Sequence, residues 1–103
     1  MVVVKFRNGV PIRLSQERWE HITQRHPEMR EQKERVLETV VAADILLEGD
    51  LDTLMALRHY PKTPVTEKYL IVVYREVTRT DGFVLTAYFA NEPSERRRTL
   101  WRR

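Results

Sequence analysis

The chain opens with two short apolar runs, Val2 to Phe6 and Val10 to Leu14, on either side of Arg7-Asn8-Gly9. Asn-Gly tolerates the positive φ angles of a tight turn, so these runs predict an opening β-hairpin. Pro11 cannot donate a hydrogen bond to a neighbouring strand. The second strand of the hairpin is therefore predicted to lie at an edge of the sheet.

A helical spacing of apolar residues follows the hairpin. Ser15 is a good N-cap, and Leu14 and Trp19 stand at the spacing of a hydrophobic staple, which predicts a helix beginning after Ser15. This helix should bury Trp19 and Ile22 and end near Pro27. Pro27 suits the first turn of a second helix. The apolar positions at helical spacing in that second helix are Met29, Val36, Leu37, Val40 and Val41.

After Asp44 the pattern changes to short apolar runs that are typical of strands. These runs are Ile45 to Leu47, Leu54 to Tyr60, Tyr69 to Val77 and Phe83 to Ala90. Asp81-Gly82 is the predicted turn of an antiparallel hairpin formed by the last two runs. The order of elements predicts one α+β domain over residues 1–103, with its core from 14 to 88. An N-terminal hairpin and two helices would pack on one face of a three- to four-stranded antiparallel sheet.

Composition excludes several classes of protein. With 42% hydrophobic and 32% charged residues, the chain has the composition of an ordinary globular domain. It contains no cysteine, which excludes a disulfide scaffold and a thiolate metal or redox site. No segment approaches the roughly 20 apolar residues that span a bilayer, and the first residues do not form a secretion signal. The predicted location is the cytoplasm, without a membrane partner.

The net charge of +3 is unevenly distributed. Residues 94–103 form an Arg-rich tail with five arginines and one acid, Glu95, so the rest of the chain carries a net charge of −1. Arg96, Arg97 and Arg98 are therefore candidates for contacts with RNA phosphates. The alternative is a solubilising tail whose Leu100 and Trp101 dock on the body of the domain.

Two histidines lie at the end of the first predicted helix. His21 and His26 are separated by about 140° of helical rotation, so they do not share a face as i,i+4 metal ligands would, and no metal is predicted. His21 is expected at the surface. His26 stands at the helix C-terminus, where the dipole favours the protonated imidazole. That position suits a general acid or a phosphate contact, and equally a histidine that caps the helix.

Polar residues also interrupt two of the predicted strands. Strand alternation places Arg58 and Tyr60 on one face and His59 on the other. Arg58 needs an anion on its otherwise apolar face, either a protein carboxylate or a substrate phosphate. In the last strand, Val84, Thr86, Tyr88 and Ala90 are predicted to share a face. Metal-free RNA cleavage needs a base for the 2′-hydroxyl, an acid for the leaving oxygen and a cation for the phosphorane, and these residue types supply such groups.

Three segments carry a resemblance to a known family: Trp19 to Glu28, Tyr69 to Val73 and Val84 to Tyr88. They are similar to the phage-linked branch of the barnase–EndoU–colicin E5/D–RelE nuclease-like superfamily, over a range from about residue 14 to residue 88. The resemblance implies two N-terminal helices against an antiparallel sheet, and a metal-independent ribonuclease that often acts as a toxin. By position, His21 and His26 match the "HI..RHP" segment, Arg58 and Tyr60 the polar strand, and Thr86 and Tyr88 the "TAY" end.

The leading hypothesis from the sequence is a metal-independent endoribonuclease without a cofactor, acting as a toxin module. Its candidate catalytic residues are His26, His21, Arg58, Tyr88 and Thr86. Its candidate substrate-binding residues are Tyr60, Arg25, Arg96, Arg97 and Arg98. The expected partners are RNA and a protein inhibitor. The alternatives are a non-catalytic RNA- or protein-binding domain of the same fold, and a homodimeric structural module that pairs through the Pro11 strand or the Arg-rich tail.

Overall fold

The computed structural model describes residues 1–103 and contains seven strands and two α-helices. The elements are β1 (Val2–Lys5), β2 (Pro11–Leu14), α1 (Gln16–Arg25), a 3-10 turn (Pro27–Met29), α2 (Lys33–Val41), β3 (Ile45–Glu48), β4 (Leu54–His59), β5 (Tyr69–Thr78), β6 (Asp81–Ala90) and β7 (Thr99–Arg102). All strands belong to one sheet in the order β1-β2-β6-β5-β4-β3-β7. Only β2 and β6 run parallel, so the sheet is mixed. The predicted α+β class is confirmed. The predicted sheet of three or four antiparallel strands is too small, and the N-terminal hairpin forms strands β1 and β2 of the sheet instead of packing on one of its faces.

The first helix begins where its capping residue predicts. The Ser15 hydroxyl accepts a hydrogen bond from the Arg18 amide at 3.0 Å, and α1 ends at Arg25, two residues before Pro27. The second helix does not begin at Pro27 as predicted. Pro27 starts the 3-10 turn instead, and Gln32, at φ −110°, separates this turn from α2. Neither helix is long and apolar enough to cross a membrane.

The sheet has an apolar cluster on each of its two faces. On the helix face, side chains of five strands pack against α1, the 3-10 turn and α2. The sheet residues of this cluster include Ile12, Leu46, Ala56, Leu70, Val72 and Val84, and the helical ones Trp19, Ile22, Val36 and Val40. The second face carries a smaller cluster of Ile45, Leu47, Met55, Leu57 and Ile71. Burial of apolar area on both faces stabilises the sheet, but the helices cover only one of them.

The Arg-rich tail forms part of the sheet. Its last residues make β7, which pairs with the outer edge of β3. Because β5, β4 and β3 lie between β6 and β7, residues 91–98 must cross these three strands. Side chains of this crossover segment share a cavity with Leu47, His59 and Tyr69, so the segment passes over the second face. Trp101 packs against the helix-face cluster, as the docked-tail alternative predicts, whereas Leu100 stays partly exposed.

Two predictions about the hairpins need correction. Pro11 is the first residue of β2, and β2 lies between β1 and β6 rather than at an edge. The turn between β5 and β6 falls at residues 79–80, because Asp81 already pairs with Thr78. Gly82 instead permits close strand contact, since a Cβ atom built there would lie 2.7 Å from the Arg75 carbonyl oxygen. It pairs with Ile12, so the absence of a side chain lets β2 reach β6.

Removing the hydroxyl group from each of two buried tyrosines should change the free energy of unfolding in different ways. Tyr74 is fully buried beside Phe6, and no protein group accepts a hydrogen bond from its hydroxyl. Tyr60 is also buried, but its hydroxyl donates to the Glu38 carboxylate. Tyr74→Phe should therefore leave the free energy of unfolding unchanged or raise it, whereas Tyr60→Phe should lower it by about 1 kcal/mol. Urea denaturation of both variants measures the difference, and a larger loss for Tyr74→Phe would contradict this account.

Candidate functional site

A β-bulge at Leu85 determines which side chains of β6 reach the second face. Thr86 pairs with Val73 and Val84 pairs with Tyr74, so Leu85 is an extra residue in the ladder. A bulge of this kind reverses the alternation of side chains beyond it. Val84 therefore belongs to the helix-face cluster, while Tyr88 packs against the second-face cluster. The predicted common face of Thr86, Tyr88 and Ala90 is found, but Val84 does not share it.

His26 lies next to Tyr88 although the two come from different layers. β2 pairs with β6 only at Gly82 and Phe83, and beyond that point α1 and the 3-10 turn lie beside β6. The end of α1 thereby places the His26 imidazole with its centroid 5.7 Å from that of the Tyr88 ring, at an angle of 31°. Both side chains are partly exposed. An imidazole and a phenol therefore stand together at an accessible edge of the second face.

Glu28 is the second ionisable group beside His26. Its Oε1 atom lies 3.5 Å from the Nδ1 atom of the imidazole. An acidic side chain therefore faces one of the two ring nitrogens of His26. It also leaves Nε2, the other ring nitrogen, available to a ligand. The 3-10 turn that begins at Pro27 brings Glu28 back towards His26.

Arg97 of the crossover segment lies over the second face of the sheet, the face that carries Tyr88. Its guanidinium donates two hydrogen bonds to the Asp50 carboxylate, at 3.1 and 3.2 Å, and these lower the pKa of Asp50. Burial raises the pKa of Tyr88 above that of a free tyrosine, the charge of Arg97 opposes this shift and that of Asp50 adds to it. Tyr88 is therefore a neutral hydrogen-bond donor near pH 7.

Arg58 and Tyr60 lie on the helix face, away from this group. Arg58 donates to the Ala42 carbonyl at 2.6 Å and lies 3.5 Å from the Glu38 carboxylate. Ala42 is the C-cap of α2, so the guanidinium satisfies an orphan carbonyl at the negative end of the helix dipole. Burial and then the hydrogen bond to Glu38 raise the pKa of Tyr60 to about 12. The structure thus does not bring Arg58 or Tyr60 to Tyr88.

The other predicted site residues are spread over the surface. His21 is exposed on the solvent-facing side of α1, and Arg25 is exposed in its last turn. Arg96 and Arg98 are exposed in the crossover segment and form no ion pair. Only His26, Tyr88, Thr86 and Arg97 are brought to one region of the second face.

Two residues that contact this group, Glu28 and Asp50, had no role in the sequence analysis. Glu28 follows His26 by two residues, and a turn signalled by Pro27 was the available hint that the two side chains approach each other. Asp50 lies between β3 and β4, and its partner Arg97 is 47 residues away. No local pattern predicts a contact over that separation.

Arg58 provides a test of whether the helix face is structural. We expect Arg58→Met to lower the free energy of unfolding by about 1–2 kcal/mol, because the Ala42 carbonyl loses a charged donor at the helix C-terminus. RNA binding should be unchanged. Urea denaturation and fluorescence anisotropy with labelled RNA measure the two effects. Arg79→Met is the control for loss of charge, since Arg79 is exposed in the turn between β5 and β6 and forms no ion pair. Normal stability combined with loss of RNA binding would place Arg58 in the site after all.

No family model, curated protein or solved structure matches the chain. Conclusions about function therefore rest on the side chains of the second face and on their chemistry.

Proposed function

We propose that the chain is a metal-independent endoribonuclease whose active site lies on the second face at His26, Tyr88 and Arg97. The observation that carries this proposal is the 5.7 Å ring contact between His26 and Tyr88, with the Arg97 guanidinium close enough to affect the pKa of Tyr88. A proton-transfer group, a neutral donor and a cation at one accessible place are what cleavage at an RNA phosphate requires. The resemblance of the Trp19 to Glu28 segment to nuclease-like proteins points to the same chemistry.

His26 transfers the proton in this mechanism. Its Nε2 atom accepts the proton of the ribose 2′-hydroxyl as the 2′-oxygen bonds to phosphorus. The bond from phosphorus to the 5′-oxygen breaks, and the imidazolium returns the proton to that oxygen. Glu28, 3.5 Å from Nδ1, stabilises the imidazolium between the two transfers. The products are a 2′,3′-cyclic phosphate and a free 5′-hydroxyl.

Tyr88 and Arg97 bind the phosphate and stabilise the phosphorane. Tyr88 donates its hydroxyl to a non-bridging oxygen, which its raised pKa allows over the whole neutral range. Arg97 supplies the positive charge in place of the predicted Arg58. Its present partner Asp50 is highly exposed, and exposed ion pairs contribute little free energy, so a phosphate displaces the carboxylate at low cost. Thr86 shares the face of Tyr88 and offers a further hydroxyl to the substrate.

A second candidate is a non-catalytic RNA-binding domain that uses the same face. This reading would hold if the Asp50 carboxylate, which accepts two hydrogen bonds from Arg97, kept the guanidinium when RNA binds. In that case phosphate binding would be weak and proton transfer by His26 would have no substrate to act on. The predicted homodimer loses its argument from Pro11, since β2 is an interior strand. A toxin role and a protein inhibitor stay predictions from the resemblance.

The ribonuclease proposal predicts cleavage that persists in excess chelator. The 2′-hydroxyl is the nucleophile, so no metal-activated water is needed, and the product should carry a 2′,3′-cyclic phosphate. We expect His26→Ala to lower the cleavage rate on the order of 10²-fold or more. Tyr88→Phe should lower it about tenfold, since a donor to a charged oxygen is lost. Product ends are identified by mass spectrometry, and rates by gel analysis of a labelled RNA.

His21→Ala is the matched control for the loss of a histidine. His21 lies on the solvent-facing side of α1, so this variant should cleave as fast as wild type. All variants are first shown to be folded by circular dichroism. An equal loss in His21→Ala and His26→Ala would contradict the assignment. The absence of cleavage by folded wild type, with RNA binding retained, would favour the non-catalytic domain.

The ion pair between Arg97 and Asp50 predicts how phosphate affinity responds to mutation. Asp50→Asn frees the guanidinium and should tighten the binding of a 2′-O-methyl oligoribonucleotide several-fold, because a competing carboxylate is removed. Arg97→Lys should weaken it, since an ammonium group lacks the two-pronged geometry. Asp52→Asn, in the same exposed turn, is the control with the same change in net charge. Equal tightening by both amide variants would attribute the effect to net charge alone.

A further inference from the structure

A cavity of about 520 Å³ lies next to the proposed site, between the sheet and the crossover segment. His59 and Tyr69 line it from β4 and β5, and Asn91, Glu95 and Arg97 line it from the segment above. The volume is typical of a site for a small molecule or a single nucleotide. One side of the cavity is therefore aromatic, and the other is polar.

The two aromatic side chains form a cross-strand pair in which His59 is exposed and Tyr69 is half-buried. His59 is directly opposite Tyr69 in the ladder, and their ring centroids are 5.2 Å apart at an angle of 71°. Such a pair stabilises a sheet, and in a purely structural role apolar side chains would cover it. Here the facing residues of the crossover segment are mainly polar, with Pro93 the one apolar residue among them, and His59 is exposed. The arrangement fits a planar ligand with hydrogen-bonding edges.

This cavity and the proposed phosphate site are adjacent. Tyr69 pairs with Ala90, which follows Tyr88 by two residues on the same face of β6. Side chains in this diagonal relation lie about 7–8 Å apart. Arg97 connects the two places, because it lines the cavity and also acts on the pKa of Tyr88. A ligand that fills both the cavity and the proposed phosphate site must have an anionic group and, within about 8 Å of it, a planar polar ring.

We infer that the cavity over His59 and Tyr69 binds the unstacked base of the nucleotide beside the scissile phosphate, so that the substrate is single-stranded RNA. The inference rests on the proposed function for the phosphate position only. A base paired in a helix must give up its pairing and stacking to enter the cavity, which costs free energy, whereas bases of single strands stack freely on aromatic side chains. His59, which strand alternation placed opposite Arg58, thus lies on the face that binds substrate.

Binding of an RNA that cannot be cleaved tests this subsite independently of catalysis. The probe is a short single-stranded 2′-O-methyl oligoribonucleotide, whose blocked oxygen cannot attack phosphorus. Tyr69→Ala should weaken its binding about tenfold, the usual effect of losing one stacked base, whereas Tyr69→Phe should bind like wild type. His59→Ala, an exposed position that does not endanger folding, should weaken binding several-fold. His21→Ala is the control and should have no effect.

A second arm removes the base instead of the protein ring. An oligonucleotide with one abasic position, moved along the strand, should lose about tenfold in affinity for wild type at one position. Tyr69→Ala should show no further loss at that position, because the two changes remove the same contact. Additive losses, or wild-type affinity in both His59→Ala and Tyr69→Ala, would overturn the subsite. A duplex of the same sequence should bind equally to wild type and Tyr69→Ala.

The outcomes separate this inference from the ribonuclease proposal. Base-dependent binding without cleavage would support the subsite and overturn the catalytic role of His26. Cleavage that depends on His26 would support the ribonuclease proposal. If RNA binding then did not change with the base or on mutation of Tyr69 and His59, the subsite would be overturned.

Discussion

The bulge at Leu85 is the constraint on which the second face depends. Without the extra residue, Tyr88 would lie on the same face of β6 as Val84 and point into the core beneath α1. With it, β6 contributes Val84 and Ala87 to the helix-face cluster and still presents Thr86 and Tyr88 on the opposite side. The bulge also falls just after β2 stops pairing with β6, where α1 replaces a strand as the neighbour. One irregular position thus gives both a continuous core and a tyrosine within reach of His26.

The unequal cover of the two faces follows from the number of elements available. Two short helices and a 3-10 turn are enough to bury one face of a seven-stranded sheet, and the larger cluster lies there. The second face has only the crossover segment, whose residues are mainly polar and exposed. Full burial would need a further apolar element. The smaller cluster therefore keeps an accessible border, and that border carries the aromatic and charged side chains of the proposed sites.

The sequence predicted those features of the fold that depend on interactions between neighbouring residues. The Ser15 cap, the opening hairpin and the four main strands were all predictable, because each follows from a few neighbouring residues. Alternation also placed Arg58 and His59 on opposite faces correctly. The alternation does not indicate which face of the sheet the helices cover. The sequence analysis therefore assigned Arg58, rather than His59, to the site. The bulge at Leu85, the pairing of β7 with β3 and the contact of Arg97 with Asp50 are set by long-range packing, for which the sequence has no local signal.

The distribution of charge limits how the proposed site would recognise RNA. Outside the Arg-rich tail the chain has a net charge of −1, and two of the five tail arginines, Arg97 and Arg103, pair with Asp50 and Asp44. A long-range field that would gather RNA from solution is therefore weak. If the proposed site binds RNA, its affinity must come from short-range contacts, namely stacking on Tyr69 and a phosphate contact that competes with the Asp50 carboxylate. Because unpaired bases stack freely on aromatic side chains whereas the bases of a duplex are already stacked, such a surface would favour exposed bases over the uniform backbone of a duplex.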